Sequence, residues 1–296
     1  MDESVFSTLA QWLDEEAVVL ASVVEARGAT PRSIDARMLV AADRTAFSIG
    51  GGALEARVIA AARDLLRKGG ERAGLDITLD GKPSAAGVCG GRMRIALRRF
   101  SGAVDRRMAG DIAAKLRAGE TVSMPARELG DDEAPAMQQN VLHPRPRLLI
   151  AGAGHCGAAL CELARHLEFD LHVVDPRAGF LSDAAFTPAT VHADFAQLRD
   201  AANTSRDLYI VLLNRDFASD VTTLSELRGV PCVYLGMMGS RRRIAQVRSA
   251  LPDDAWFERI VAPVGLSIDA QTPHEIAVSI LAQLIQVRRK RESGRD

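Results

Sequence analysis

A glycine-punctuated turn between two apolar runs constrains this chain more than any other feature. Arg147-Leu-Leu-Ile-Ala151 reads as a strand, and it enters the turn Gly152-Ala-Gly154-His155-Cys156-Gly157. A helix-type pattern leaves the turn, and a second apolar run, Leu171-His-Val-Val174, ends in Asp175. A strand, a Gly-x-Gly-x-x-Gly turn, a helix and a strand with a terminal acid, in that order, make a Rossmann-like unit. Such a turn aims backbone N–H groups and a helix N-terminus at one point, which suits a phosphate. A tight turn with nothing bound is the alternative reading.

The unit begins near the middle of a 296-residue chain, so something else occupies the first half. The length fits about two domains. The expected organisation is a smaller N-terminal α+β domain over 1–128, a linker over 129–146, and a C-terminal doubly wound, Rossmann-like parallel sheet over 147–296. The linker reading rests on the acidic, proline-containing stretch Gly130-Asp-Asp-Glu-Ala-Pro135 and its continuation to Pro146. Strands are expected at Ala17–Val24, Arg37–Ala41, Thr45–Ile49, Leu75–Leu79 and Met93–Leu97, with helices at Val5–Asp14, Leu54–Lys68 and Val104–Ala118. In the second half, strands near Val191, at Leu208–Leu213 and at Pro231–Leu235 alternate with helical segments, which argues for parallel crossovers. Thr272-Pro273-His-Glu275 reads as an N-cap, a first-turn proline and a capping box opening the last helix.

Net charge is −1, so no electrostatic ground exists for a nucleic-acid partner. No apolar run reaches the roughly 20 residues of a membrane span, and the first residues lack a basic-then-apolar leader pattern. The expectation is a cytoplasmic protein. Four cysteines, Cys89, Cys156, Cys161 and Cys232, form no C-x-x-C pair, so neither a structural zinc site nor a disulfide framework is indicated.

Five loops carry candidate chemistry. Gly152, Gly154, His155, Cys156 and Gly157 form the first; His155 orients the turn, and Cys156 sits where a helix N-terminus favours its thiolate. Asp175 either accepts a bond from a ribose- or pterin-type group or caps the turn that Pro176 begins; Arg177, facing an anion instead, is the alternative, so the pattern does not choose between a phosphorylated and an unphosphorylated ribose. The second loop is Gly236-Met-Met-Gly239-Ser240-Arg241-Arg-Arg243, with Ser240 as N-cap and the arginines as either a second anion site or a solvated helix start. The third is Ser48-Ile-Gly50-Gly51-Gly52-Ala-Leu-Glu55, where glycines allow close approach and Glu55 either caps the helix or meets a polar ring edge. In the fourth, Cys89-Gly90-Gly91, Cys89 is a candidate soft metal ligand or a small apolar plug. The fifth is Arg27-Gly-Ala-Thr-Pro-Arg32, an anion clamp or a surface turn.

The order of these loops resembles the xanthine dehydrogenase accessory protein family (XdhC/CoxI). The resemblance covers most of the chain and continues through Ala262-Pro-Val-Gly-Leu-Ser-Ile268 and Thr272-Pro-His-Glu-Ile-Ala-Val-Ser279. It implies a chaperone, not itself a catalyst, that binds molybdenum cofactor in its molybdopterin form. Such a protein protects the cofactor, supports its sulfuration and inserts it into a molybdenum hydroxylase such as xanthine dehydrogenase. It also implies a homodimer and a cysteine desulfurase as a further partner, and in keeping with it Gly152–Gly157 suit the phosphate, Asp175 or Glu55 the pterin, and Cys89 the metal. Two departures stand out. A Thr-x-Gly-His element of the family is replaced by Asn214-Arg215-Asp216-Phe217, and Val88 stands where the family often has a first cysteine. An NAD(P)-dependent oxidoreductase is the competing reading, and a protein-interaction module with an idle ligand fold is a third.

Overall fold

The structure, a computed structural model, describes residues 2–79, 90–187, 189–251 and 255–292. The chain divides into two compact units, Met1–Pro144 and Arg145–Asp296.

The first unit is built on an antiparallel five-stranded sheet in the order β3-β2-β1-β5-β4. Its elements are α1 (Asp2–Trp12), β1 (Val18–Arg27), β2 (Arg37–Val40), β3 (Thr45–Phe47), α2 (Gly52–Lys68), β4 (Arg72–Thr78), β5 (Arg92–Phe100), α3 (Gly102–Arg117), β6 (Val122–Pro125) and β7 (Gln139–Leu142). Successive side chains of a strand point to opposite faces, and here both faces are covered. Val19, Ala21 and Val23 meet Leu54, Val58, Ala62 and Leu65 of α2 in one core. Val18 and Leu20 meet Val5, Phe6 and Leu9 of α1 and Ile112 and Leu116 of α3 in the other. Double coverage is why β1 reads as an unbroken apolar run rather than an alternating one.

The segment 129–146, expected to be a linker, is largely folded onto this first unit. β7 pairs with β6 from Val122↔Leu142 to Pro125↔Gln139. The acidic residues serve as partners for arginines of the sheet. Arg72 Nη1 donates to Asp132 Oδ1 at 2.7 Å, Arg94 Nη2 donates to the buried Asp131 at 3.2 Å, and Arg94 also pairs with Glu133. A charge run that looks solvated in sequence is here neutralised by two neighbouring strands, β4 and β5.

The second unit contains a parallel sheet in the order β10-β9-β8-β11-β12. Its elements are β8 (Arg147–Ala151), α4 (His155–Ala164), β9 (Asp170–Val174), α5 (Ala178–Leu181), β10 (Thr190–His192), α6 (Leu198–Ala202), β11 (Leu208–Leu212), α7 (Phe217–Glu226), β12 (Tyr234–Met237), α8 (Arg241–Ala250), α9 (Ala255–Glu258) and α10 (Pro273–Glu292). Leu148 and Ile150 pack with Leu160 and Ala164 of α4 and Ile280 and Leu284 of α10. Leu149 and Ala151 face Leu198, Leu224 and Val247 on the opposite side. The capping box forms as expected: Thr272 N donates to Glu275 Oε2 at 2.9 Å, and Glu275 N donates to Thr272 Oγ1 at 3.3 Å. Among the described residues, no helix is long and apolar enough to cross a membrane.

Candidate ligand sites

Strand order places the glycine turn. The chain proceeds from β8 outward through β9 to β10, then returns to the other side of β8 for β11 and β12. The reversal lies between β8 and β11, and ligands of open α/β sheets bind beyond the carboxyl ends of strands at such a point. Gly152 follows β8, and a β-carbon there would fall 2.8 Å from the backbone of Leu213 after β11. A β-carbon on Gly157 would run into the Gly152 carbonyl oxygen, so this contact requires glycine at the helix entry.

Asp175 holds this turn rather than opening toward a ligand. Its carboxylate is 1% exposed. Oδ2 accepts from Ala153 N at 2.7 Å and from Arg177 Nη2 at 2.6 Å. Oδ1 accepts from Arg177 N and Nε, both at 2.9 Å. Burial pushes the Asp175 pKa up, but the bonds from Arg177 and Ala153 outweigh it and leave the pKa below the ordinary carboxylate value. The expectation of an acceptor for ribose or pterin therefore gives way to the capping role, because four donors already fill the carboxylate. The exposed group at this position is Arg177, whose guanidinium stacks 4.3 Å from the Phe180 ring centroid.

Arg215 joins the same mouth. Its Nη2 lies 3.1 Å from His155 Nδ1. A guanidinium only donates, so His155 Nδ1 is the acceptor in this contact. Sequence alone marks Asn214-Arg215-Asp216 as a departure and does not bring Arg215 into the site. The signal that finds it is its position just after β11, across the reversal point from the glycine turn. The expected thiolate at Cys156 is corrected: the side chain is half-buried, and desolvation raises its pKa despite the opposing charge of Arg215.

The second expected anion site is mainly structural. Ser240 does cap α8, its Oγ accepting from Arg243 N at 3.3 Å. Arg243, however, turns inward to Asp220, with Nε 2.7 Å from Oδ2, and its Nη2 reaches the Asn214 carbonyl at 2.7 Å. Gly239 makes ordinary contacts with Ile244 and Met237, and Arg241 stays on the surface.

In the first unit, three of the loops singled out above converge. A β-carbon on Gly28 would meet Gly91 Cα at 3.3 Å, and one on Gly50 would meet Pro31 Cγ at 2.7 Å. Gly91 lies so close to the Ala29 carbonyl that no larger residue fits. Glu55 ties down the glycine run: its Oε2 accepts from Ser48 Oγ at 2.7 Å, Gly51 N at 3.1 Å and Ile49 N at 3.3 Å. Gly51 and Gly52 have φ of 76° and 61°, with nothing within 4 Å of where a β-carbon would be. They adopt a conformation that strains other residues and present bare backbone. Gly90 is fixed by a bond from its N–H to the Leu79 carbonyl at 2.6 Å. Cys89 lies outside the described residues, and among the described residues no group of three His, Cys, Asp or Glu side chains could hold a metal.

Comparison with known proteins matches both halves. A model of the XdhC Rossmann domain matches residues 148–284, and a model of the XdhC and CoxI family matches residues 11–78. YqeB, an uncharacterized protein of Escherichia coli strain K12, is 30% identical over 283 residues, covering 93% of this chain and 44% of YqeB. A probable xanthine dehydrogenase subunit of Bacillus subtilis strain 168 is 30% identical over 151 residues, covering 50% of this chain and 45% of that protein. The chain thus spans less than half the length of these two relatives. The molybdenum cofactor insertion chaperone PaoD of Escherichia coli strain K12 is 25% identical over 294 residues, covering 94% of this chain and 85% of PaoD. A crystal structure described as a xanthine dehydrogenase from Bacillus halodurans matches with a TM-score of 0.82 at 25% identity, covering 98% of this chain and 96% of the other. With a family model on each unit and a full-length structural match, the chain belongs to the XdhC and CoxI family.

Proposed function

We propose that this protein is an accessory factor that holds molybdenum cofactor and delivers it to a molybdenum hydroxylase of the xanthine dehydrogenase type. The observation that carries this reading is the convergence of the glycine loops of the first unit around Gly28, Gly50 and Gly91, immediately after Cys89. The likeness to PaoD supports it.

The residues fit the group. Molybdenum cofactor presents a metal with sulfur ligands, a polar pterin edge and a phosphate. Bare backbone at Gly51 and Gly52 accommodates a flat polar ring at close range, and Glu55 keeps that backbone in place. Cys89 supplies a soft sulfur donor of the kind molybdenum accepts. When bound, the cofactor carries the oxygen-transfer chemistry of the client enzyme; this chain's residues bind it, orient it and exclude water. In the proposal, sulfuration is performed by a cysteine desulfurase on the held cofactor, and the protein acts as a cytoplasmic homodimer.

The test is equilibrium ultrafiltration of the full chain with molybdenum cofactor, read by metal analysis, for the native protein and Cys89→Ser. Near-stoichiometric retention that falls in the variant is the expected result. No retention by the native protein sinks the reading, and equal retention by both removes Cys89 from it.

A further inference from the structure

We propose that the glycine turn of the second unit binds a nucleotide whose ribose carries a phosphate monoester, with Arg177 as the residue that selects the phosphate. The inference rests on the second unit alone and holds whether or not the first unit handles molybdenum.

A Rossmann-type site reads a free ribose diol through the acid at the end of its second strand, and a ribose phosphate through a nearby arginine. Asp175 occupies the acid's position, after β9. Its presence in sequence points to the free diol, but the geometry reverses that. Both oxygens are filled, one by Ala153 N and Arg177 Nη2, the other by Arg177 N and Nε. A diol would have to displace the bonds that shape the glycine turn.

What the site offers instead is guanidinium donors, since Asp175 and Arg177 together carry no net charge. Arg177 is held along one edge by Asp175 and on its face by Phe180, while its side chain remains 45% exposed. A guanidinium fixed on two sides loses little rotamer freedom on meeting an anion. Arg215 sits across the turn, beside His155, where the bridging phosphates of a dinucleotide would meet the start of α4. Asp216, whose charge also acts on Arg177, stays ionised and caps α7 through Ser219 N and Oγ, both at 2.8 Å, so its oxygens do not bond the guanidinium. Phe217, the next residue, opens α7 after β11 and is 43% exposed.

The structure thus divides the labour. Arg215 and the turn serve the bridging phosphates that any dinucleotide has. Arg177 serves a phosphate that only some carry. NADP+ and NAD+ differ in that one group, so they are the probes. Calorimetric titration of the full chain should show NADP+ binding at least about tenfold more tightly than NAD+, the effect of one added charge-assisted contact. Arg177→Ala should erase or reverse that preference, since NADP+ loses its arginine while Asp175 is freed to accept from the ribose diol of NAD+, and Arg177→Lys should restore part of it, since lysine keeps the charge but not the fork. Arg215→Ala should weaken both ligands together. Melting temperature and circular dichroism of each variant confirm that it folds. Equal affinity for the two nucleotides, binding of neither, or a preference that survives Arg177→Ala overturns the proposal. Molybdenum retention by the same preparations reports separately on the first unit.

Discussion

Arg243 and Asp220 form a buried ion pair that ties two ligand-side loops of the second unit together. Arg243 Nε lies 2.7 Å from Oδ2 of a carboxylate with no exposed surface. The same guanidinium also holds the Asn214 and Asp216 carbonyls, at 2.7 Å and 3.2 Å. It therefore fixes the loop that carries Arg215.

Removing one member of such a pair strands the other in a low-dielectric site. Arg243→Ala should cost about 3–5 kcal/mol of stability. Burial already pushes the Asp220 pKa up, against the pull of Arg243, so loss of the arginine should leave Asp220 protonated. Replacing both, as in Arg243→Met with Asp220→Leu, should recover most of the loss, because an apolar pair needs no compensation. Urea denaturation of the three variants tests this. An Arg243→Ala loss below about 1 kcal/mol, the worth of an exposed pair, would show that the pair is not buried in solution.

Gly157 is a second sensitive position. Alanine ordinarily favours a helix over glycine by about 1 kcal/mol. Here its methyl group would strike the Gly152 carbonyl oxygen, a backbone atom that cannot rotate away. Gly157→Ala should therefore destabilise the second unit by about 1–3 kcal/mol, the range for overpacking. A lower melting temperature is the expected readout, and a raised one would mean that the turn relaxes freely.

The contrast between these two positions shows how much the sequence discloses. The turn at Gly152–Gly157 is legible because backbone clearance leaves a fixed residue pattern. The cap at Thr272–Glu275 is legible for a similar reason, since its partners lie three residues apart. Asp175 is legible as a position but not as a role. Whether its oxygens face a ligand or Arg177 depends on rotamers that spacing does not encode. Arg215 and Arg243 show the same limit. One follows a strand and the other opens a helix, and only tertiary contacts decide that the first turns to His155 and the second inward to Asp220. The acidic segment around Asp131 is misleading because its partners, Arg72 and Arg94, lie far away in sequence.

Acid should weaken the second unit in two stages. Burial lowers the His192 pKa, and the neighbouring His172 and Arg147 add to this, with Asp200 opposing. His172 Nδ1 lies 3.1 Å from His192 Nε2. The unfolded chain takes up that proton more readily, so stability should begin to fall below about pH 6.5. For Asp170, burial raises the pKa, but His172 and Arg147 pull it well below the usual carboxylate range, and Asp175 is lowered as described above. Their contribution is complete above the unfolded aspartate pKa of about 3.9 and is lost as pH falls toward the folded values. Urea midpoints measured from pH 7.5 to 3 should decline in both windows. His192→Gln should flatten the upper one and Asp170→Asn the lower. A midpoint that rises on acidification would reverse the assigned signs.

Thiol reactivity tests whether Cys89 differs from the other cysteines. The thiolate is the reactive form. Burial raises the pKa of Cys156 and Cys232 and takes Cys161 up to about 11, with Arg165 opposing. Cys161 also has no exposed surface. An ordinary thiol has a pKa of about 8.5 and is partly ionised at pH 8. If Cys89 serves as a sulfur donor, it should react with a disulfide reagent at that rate, well ahead of the other three. The native protein at pH 8 should then show one fast thiol and slower ones, with Cys161 reacting only on unfolding. Cys89→Ser should remove the fast phase alone. Molybdenum cofactor should protect the fast thiol in the native protein, since a sulfur bound to metal is no longer free to attack. A fast phase that persists in Cys89→Ser would assign it to Cys156 or Cys232 and take away the chemical basis for Cys89 as a metal ligand.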